Sequence, residues 1–287
     1  MKERTLAVIV LAALVACDGT PAAGAQEAKV KPPSWTGSVT EEEFKAMHEL
    51  ESGPAPALGG QQIELAGGHA YLSLPPGAKP PFPAVVVIQE WWGLNDHIKQ
   101  WSDRLAAEGY AALAVDLYDG KVATTSDSAM QYVKSVHPER ATEILLAAHE
   151  FLSRDPRVQA TRRGSIGWCF GGAQSLALAL AAPDLNACVL YYGRPELDPK
   201  VLEAIRAPLL GVFGTQDQSI PPATVNAFDT ALTEAGVQHT ILRYDAPHAF
   251  ANPSNPKYDE KSAGAAWAEV QKFFAANLKP AGKPAGK

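Results

Sequence analysis

The chain has 287 residues, 46% hydrophobic and 20% charged, with 25 basic and 31 acidic side chains and a formal charge of −6. That length fits one large or two small domains, and the apolar share excludes a disordered chain, a coiled coil or a collagen-like fibre. An acidic balance argues against a nucleic-acid binder that works by neutralising phosphates. Three Cys are too few for a disulfide scaffold, and neither CxxC nor HExxH occurs, so no metal and no cofactor are expected.

Lys2 and Arg4 precede an apolar run of 11 residues, Leu6 to Ala16, too short to span a bilayer as a helix. It ends Leu14-Val15-Ala16-Cys17, which resembles the lipobox of bacterial lipoproteins. That resemblance implies a signal peptide over 1–16 and lipidation of Cys17, because several acyl chains anchor stably where one would not. A simple secretory leader cut after Ala23 or Ala25 is the alternative. Either way the expected destination is the bacterial cell envelope, facing the periplasm, with the membrane touched only through the lipid anchor. Residues 17–55, rich in Ala, Gly, Pro and Lys, read as a tether plus one short helix that starts at the capping box Thr40-Glu41-Glu42-Glu43 and reaches about Leu50.

The domain is expected over 56–279. Alternating apolar residues around Gly67-Gly68 predict a two-stranded hairpin from Gln61 to Leu74. From Ala84 the pattern changes to continuous apolar runs, as in strands buried on both faces of a parallel sheet: 84–88, 110–115, 164–168, 187–192, 208–213 and 238–244. Helical patterns alternate with them: one capped by Asp96 and stopped by Gly109, one over 126–153 interrupted at Pro138, then 171–181, 222–235 and 261–278. The tail, 280–287, reads as disordered. Alternating strands and helices predict an α/β fold, a mostly parallel sheet with helices on both faces, whose ligands bind beyond the carboxyl ends of the strands.

Three features stand at such ends. Gly167-Trp168-Cys169-Phe170-Gly171 runs from a strand straight into a helix. It is a G-x-C-x-G turn, the nucleophile elbow of the α/β-hydrolase fold with Cys in place of Ser, which makes Cys169 a candidate nucleophile. A thiol needs a base and the base an orienting partner. Asp217 follows one later strand and His248 the next, in the order nucleophile, acid, base. The other six His (48, 69, 97, 137, 149, 239) do not occupy that position. After the first buried strand comes Gln89-Glu90-Trp91-Trp92-Gly93, so the oxyanion donors should be the backbone N–H groups of Trp91 and Phe170, with Glu90 beside them. Cys188 lies early in its strand, too far from Cys169 for a disulfide, and reads as core.

The segments VVVIQEWWGLNDHI, GYAALAVDLYDG, IGWCFGG, YYG, VFGTQDQSI and YDAPHAFANP resemble the dienelactone hydrolase family, in order, from about Gln61 to Leu278. The resemblance implies the α/β-hydrolase fold, Cys169 as nucleophile, His248 as base, Asp217 as its acid, and Glu90 as a group that engages the thiol when substrate binds. Trp92, Tyr132 and Asn252 are then candidate substrate-binding residues. In the family two Arg grip the substrate carboxylate. Asn252 stands at one of those positions and, if Tyr132 marks the alignment, Ser128 at the other, unless Lys121 or Lys134 takes over. The function expected is hydrolysis of a carboxylic ester or lactone, a small-molecule substrate, through a thioester acyl-enzyme in a monomer that prefers uncharged substrates. A non-catalytic ligand-binding lipoprotein that keeps the hydrolase pocket is the alternative.

Overall fold

The computed structural model describes residues 35–50 and 57–279. The segment read as a signal peptide with Cys17, most of the expected tether and the tail 280–287 lie outside the described residues. Thr40 opens α1 (Glu41–Met47): its hydroxyl accepts the Glu43 N–H and the Glu43 carboxylate accepts the Thr40 N–H. The hairpin forms as β1 (Gln61–Leu65) and β2 (Gly68–Ser73), followed by β3 (Ala84–Ile88), α2 (Asp96–Ala107), β4 (Ala111–Val115), α3 (Ser126–Ser135) and α4 (Pro138–Arg154). Then come β5 (Arg163–Trp168), α5 (Phe170–Ala181), β6 (Ala187–Tyr191), the short α6 (Pro199–Leu202), β7 (Leu209–Gly214), α7 (Pro222–Glu234), β8 (His239–Tyr244) and α8 (Glu260–Leu278).

The eight strands form one sheet in the order β1-β2-β4-β3-β5-β6-β7-β8. The hairpin joins it antiparallel through β2 and β4, and every neighbour from β4 to β8 is parallel. Every residue of β3, β4 and β6 is buried, which is why those segments read as unbroken apolar runs rather than alternations. On one face α2 meets α8, where Trp101 tilts against Trp267 and the Arg104 guanidinium lies 4.4 Å from the Trp267 ring centroid. On the other α4 packs on α5. This is the α/β-hydrolase fold.

One expectation needs adjusting, and the interruption expected at Pro138 is present. The cap of α2 is Asn95, whose side-chain oxygen takes the Ile98 N–H at 3.1 Å, while Asp96 lies in the first turn and pairs with Lys99. The helical region over 126–153 is two helices, since Pro138 has no N–H to continue a ladder and instead starts α4. Among the described residues no helix is long and apolar enough to cross a membrane.

Candidate active site

β5 and α5 meet at Cys169, whose φ of 53° lies in the left-handed region that a residue with a Cβ enters only under strain of order 1–3 kcal/mol. Glycines on either side make the turn feasible. A Cβ on Gly167 would fall 2.0 Å from the Gly171 carbonyl oxygen, and one on Gly171 would fall 2.4 Å from the Gln89 carbonyl oxygen. The chain therefore turns back tightly on itself and presses against the end of β3. Phe170 is the first residue of α5, so its N–H has no partner within the helix and faces the sulfur, where it favours negative charge. Trp91 follows Glu90 at the end of β3, and its carbonyl accepts from the Tyr118 hydroxyl at 3.1 Å, which fixes that loop.

His248 comes from the loop after β8 and Asp217 from the loop after β7. His248 Nδ1 donates to Asp217 Oδ2 at 2.7 Å, with both side chains almost fully buried. The other carboxylate oxygen, Asp217 Oδ1, accepts the N–H groups of Ser219 and Ile220 at 2.8 and 2.9 Å. Burial alone would depress the His248 pKa, but the Asp217 carboxylate outweighs it and holds the imidazole well above its ordinary value, a stronger base. Since Nδ1 holds its proton toward the carboxylate, Nε2 is the basic atom. It is buried and faces the Cys169 sulfur.

Burial raises the Cys169 thiol, against a lowering by His248, and the nearby Glu90 carboxylate raises it further. Glu90 itself is 3% exposed and is pushed up to about 7, chiefly by burial. Its two oxygens accept from Asn252 Nδ2 at 2.5 Å and the Tyr192 hydroxyl at 3.4 Å. Asn252 is thus spent on holding Glu90, and its own oxygen takes Ser254.

Beside His248 and the Phe170 N–H, the thiol meets a residue that sequence reasoning passed over. His48, at the C-terminal cap of α1, sets Nε2 at 3.7 Å from Cys169 Sγ. His48 Nδ1 lies 2.8 Å from the Phe44 carbonyl oxygen, which can only accept, so Nδ1 carries the proton and Nε2 offers its lone pair to the sulfur. Burial, and then the charge of His248, hold the His48 pKa well below its ordinary value, so the ring is neutral. The strap that carries it, residues 35–50, is laced to the loop of Asp217. The Ser38 N–H donates to the Ser219 carbonyl, and the Ser219 hydroxyl donates to the Thr36 carbonyl, each at 2.7 Å. Gly37, with φ of 74°, lies so close that a Cβ there would meet the Ser219 carbonyl oxygen at 1.9 Å. The strap then crosses to α3 through Lys45–Asp127 and Lys134–Glu41 ion pairs and a Ser126 hydroxyl that donates to the His48 carbonyl.

A cavity of about 350 Å³ opens on Cys169 and His248. Its wall is mostly apolar, with Trp35, Phe44, Trp91, Val133 and Ile220, and carries two cations, Lys134 and Arg194. Of the candidate substrate contacts, Trp92, Tyr132 and Asn252 are not part of that wall. Trp92 is core, edge-on to Trp91; the Tyr132 ring leans on Tyr118; Asn252 is bound to Glu90. Ser128 closes the capping box of α3, and Lys121 lies over the Tyr132 ring. Cys188 is buried in β6, where its thiol donates to the Ser175 carbonyl.

Residues 69–278 match the family model described as the dienelactone hydrolase family. Two bacterial relatives carry the name "Putative carboxymethylenebutenolidase". The one from Methylorubrum extorquens is 33% identical over 220 residues, 71% of this chain and 75% of that one. The one from Synechocystis is 31% identical over 237 residues, 76% of this chain and 94% of that one. Among solved structures, a dienelactone hydrolase-like promiscuous phosphotriesterase from metagenomic libraries is 26% identical with a TM-score of 0.68, covering 78% of this chain and 100% of that one. The chain belongs to the dienelactone hydrolase family and is a hydrolase of ester or lactone substrates.

Proposed function

We propose that the chain cleaves a carboxylic ester or lactone through a thioester acyl-enzyme on Cys169, with His248 as general base and Asp217 as its orienting acid. The single observation that carries this reading is Cys169 on a strained elbow, with the Asp217-held His248 beside it on one cavity wall. The thiol turns from His48 and passes its proton to His248 Nε2 as sulfur bonds to the substrate carbonyl carbon. The oxyanion so formed takes the N–H groups of Trp91 and Phe170. The tetrahedral intermediate collapses, the C–O bond breaks, and the imidazolium returns the proton to the leaving alkoxide, which in a lactone stays attached as a hydroxyl. Water, deprotonated by the same His248, then splits the thioester and restores the thiol.

Glu90, with a pKa of about 7, is suited to take up or release a proton next to the nucleophile as substrate enters. The test is hydrolysis of short p-nitrophenyl esters by wild type and Cys169→Ala, with mass spectrometry of the quenched wild-type reaction. Turnover with an acyl mass on the peptide that contains Cys169 is expected. Equal turnover by both proteins would overturn the nucleophile assignment. The same reading puts the enzyme in the bacterial envelope on a lipid at Cys17, as a monomer. Cys17→Ser should release it from the membrane fraction, and a variant that stays bound would overturn the anchor.

A further inference from the structure

We propose that Cys169, His48 and His248 together form a binding site for a soft divalent cation of the zinc class, and that such an ion switches the hydrolase off reversibly. Three potential ligand atoms converge here, one from each residue, all within 4.8 Å of one another and all from buried side chains. A tetrahedral zinc site has bonds of about 2.3 Å to sulfur and about 2.0 Å to nitrogen, which places neighbouring ligand atoms about 3.5 Å apart. The Cys169 Sγ to His48 Nε2 distance of 3.7 Å already meets that separation. The remaining distances need only an inward shift of about 1 Å, within reach of side-chain rotation.

The imidazoles are prepared for this beyond mere proximity. A metal-bound His characteristically gives its other ring N–H to a carboxylate or a backbone carbonyl, which fixes both tautomer and ring plane. Both histidines do so: His248 Nδ1 to Asp217 Oδ2 at 2.7 Å, and His48 Nδ1 to the Phe44 carbonyl at 2.8 Å. Each therefore turns its Nε2 toward the same thiol, and both rings are buried. A Cys-His-His set combines a soft thiolate with two borderline nitrogens, the donors that select zinc over magnesium or calcium. The cavity gives access, because Cys169 and His248 stand on its wall, and it leaves room for water as fourth ligand.

The binding step is an exchange without redox change. The ion loses water, the Cys169 S–H bond breaks as a zinc–sulfur bond forms, and the thiol proton goes to solvent, as would any proton on His248 Nε2. A zinc-bound thiolate is a weaker nucleophile, and a coordinated His248 cannot accept a proton. The ion and the reaction exclude each other. The third ligand comes from the strap, which precedes the residues matched by the family model.

The experiment adds Co²⁺, as a spectroscopic stand-in for Zn²⁺, to the reduced, metal-free full-length chain. One equivalent should give a near-ultraviolet thiolate-to-cobalt charge-transfer band with the intense visible absorption of four-coordinate cobalt, and Zn²⁺ should bleach both. Cys169→Ser should lose the charge-transfer band. His48→Phe should bind Zn²⁺ at least tenfold more weakly. In wild type, Zn²⁺ should inhibit hydrolysis and a chelator should restore it. A spectrum typical of hydrated cobalt, a band that survives Cys169→Ser, or equal zinc affinity in His48→Phe would each overturn the proposal. Should His48→Phe fail to fold, His48→Gln makes the same comparison. The cobalt spectrum reports the site whether or not Cys169 is the nucleophile, so it separates failure of the metal site from failure of the catalytic reading.

Discussion

Two regions meet at Cys169 and are built by different physics. The loops at the carboxyl ends of β3, β5, β7 and β8 hold Glu90, Cys169, Asp217 and His248 because a parallel sheet brings those ends to one edge. Their positions follow from buried strands whose register the core fixes. The strap over 35–50 has no strand and one helix of seven residues, too short to persist by itself. It is held by Phe44, 2% exposed, whose ring lies edge-on to Trp91 at 5.2 Å and to His248 at 5.9 Å. Its ion pairs add little, since Lys45–Asp127 and Lys134–Glu41 are largely exposed. The sheet edge dictates where its candidate catalytic groups stand, whereas the strap delivers His48 by docking, so the two should respond differently to substitution.

The sharpest break belongs to the sheet edge. Cys169→Ala should lower kcat by 10³-fold or more, about 4 kcal/mol of barrier, and Asp217→Asn should be comparably severe because the imidazole tautomer is wrong. Both should unfold thermally close to wild type. A Cys169→Ala protein that unfolds far below wild type would make the elbow a stability element instead. Phe44→Ala comes next and acts on the strap. Removing a buried Phe side chain costs about 3–5 kcal/mol, enough here to undock residues 35–50 while the sheet stays folded. Amide exchange of that segment should then approach that of an unprotected chain while β3 to β7 keep their protection. Uniform loss of protection across the sheet would show that strap and sheet fold as one unit.

The same division governs what could be read in the sequence. Apolar runs reported the strands, and the glycines around Cys169 reported the elbow, because each is a local consequence of burial or close approach. Asp217 and His248 were legible from their place just past consecutive strands. His48 was not, since it lies 121 residues from Cys169 and nothing along the chain marks the docking of a short helix. Phe44 and His48 do share a helix face at i, i+4, but a lone His there is commonplace. Arg194 was missed for a similar reason: it stands in the irregular segment after β6 and reaches the cavity wall only through the fold. Asn252, read as a substrate contact, is turned inward by a partner 162 residues away, the Glu90 carboxylate.

Glu90 gives a pH-dependent test of the sheet edge. Its pKa is raised from 4.5 to about 7 in the folded chain, so the native state binds a proton that the unfolded state has already lost between those values. Stability therefore falls as pH rises from about 4.5 to 7, by roughly 3 kcal/mol in all for so buried a group, and is level above that. Glu90→Gln removes this dependence. The difference in Tm between variant and wild type should grow in the variant's favour across that window and stay constant beyond pH 7. Parallel Tm profiles would mean that burial does not perturb Glu90, and would also weaken its role as a proton carrier near neutral pH.

The smallest effect concerns substrate charge and joins both regions, because strap and sheet edge share the cavity. Asn252 and Ser128 offer no cation, and Lys134 is engaged by Glu41 of the strap at 2.7 Å. A carboxylate entering the cavity would also approach Glu90, which is about half ionised at pH 7 and buried where screening is weak. Against this stands Arg194 on the wall, whose guanidinium has the planar fork that suits a carboxylate. Repulsion near Cys169 acts on every bound anion, whereas a cation on the wall helps only a substrate long enough to reach it. Short neutral esters should therefore have a higher kcat/KM than their anionic counterparts, by less than tenfold. The measurement is a matched pair, a short carboxylate ester and its methyl ester, at pH 6 and pH 8. The neutral preference should widen at pH 8 as Glu90 loses its proton. A tenfold preference for the anion, about 1.4 kcal/mol, would reverse the conclusion, and its loss in Arg194→Gln would then identify that side chain as the clamp.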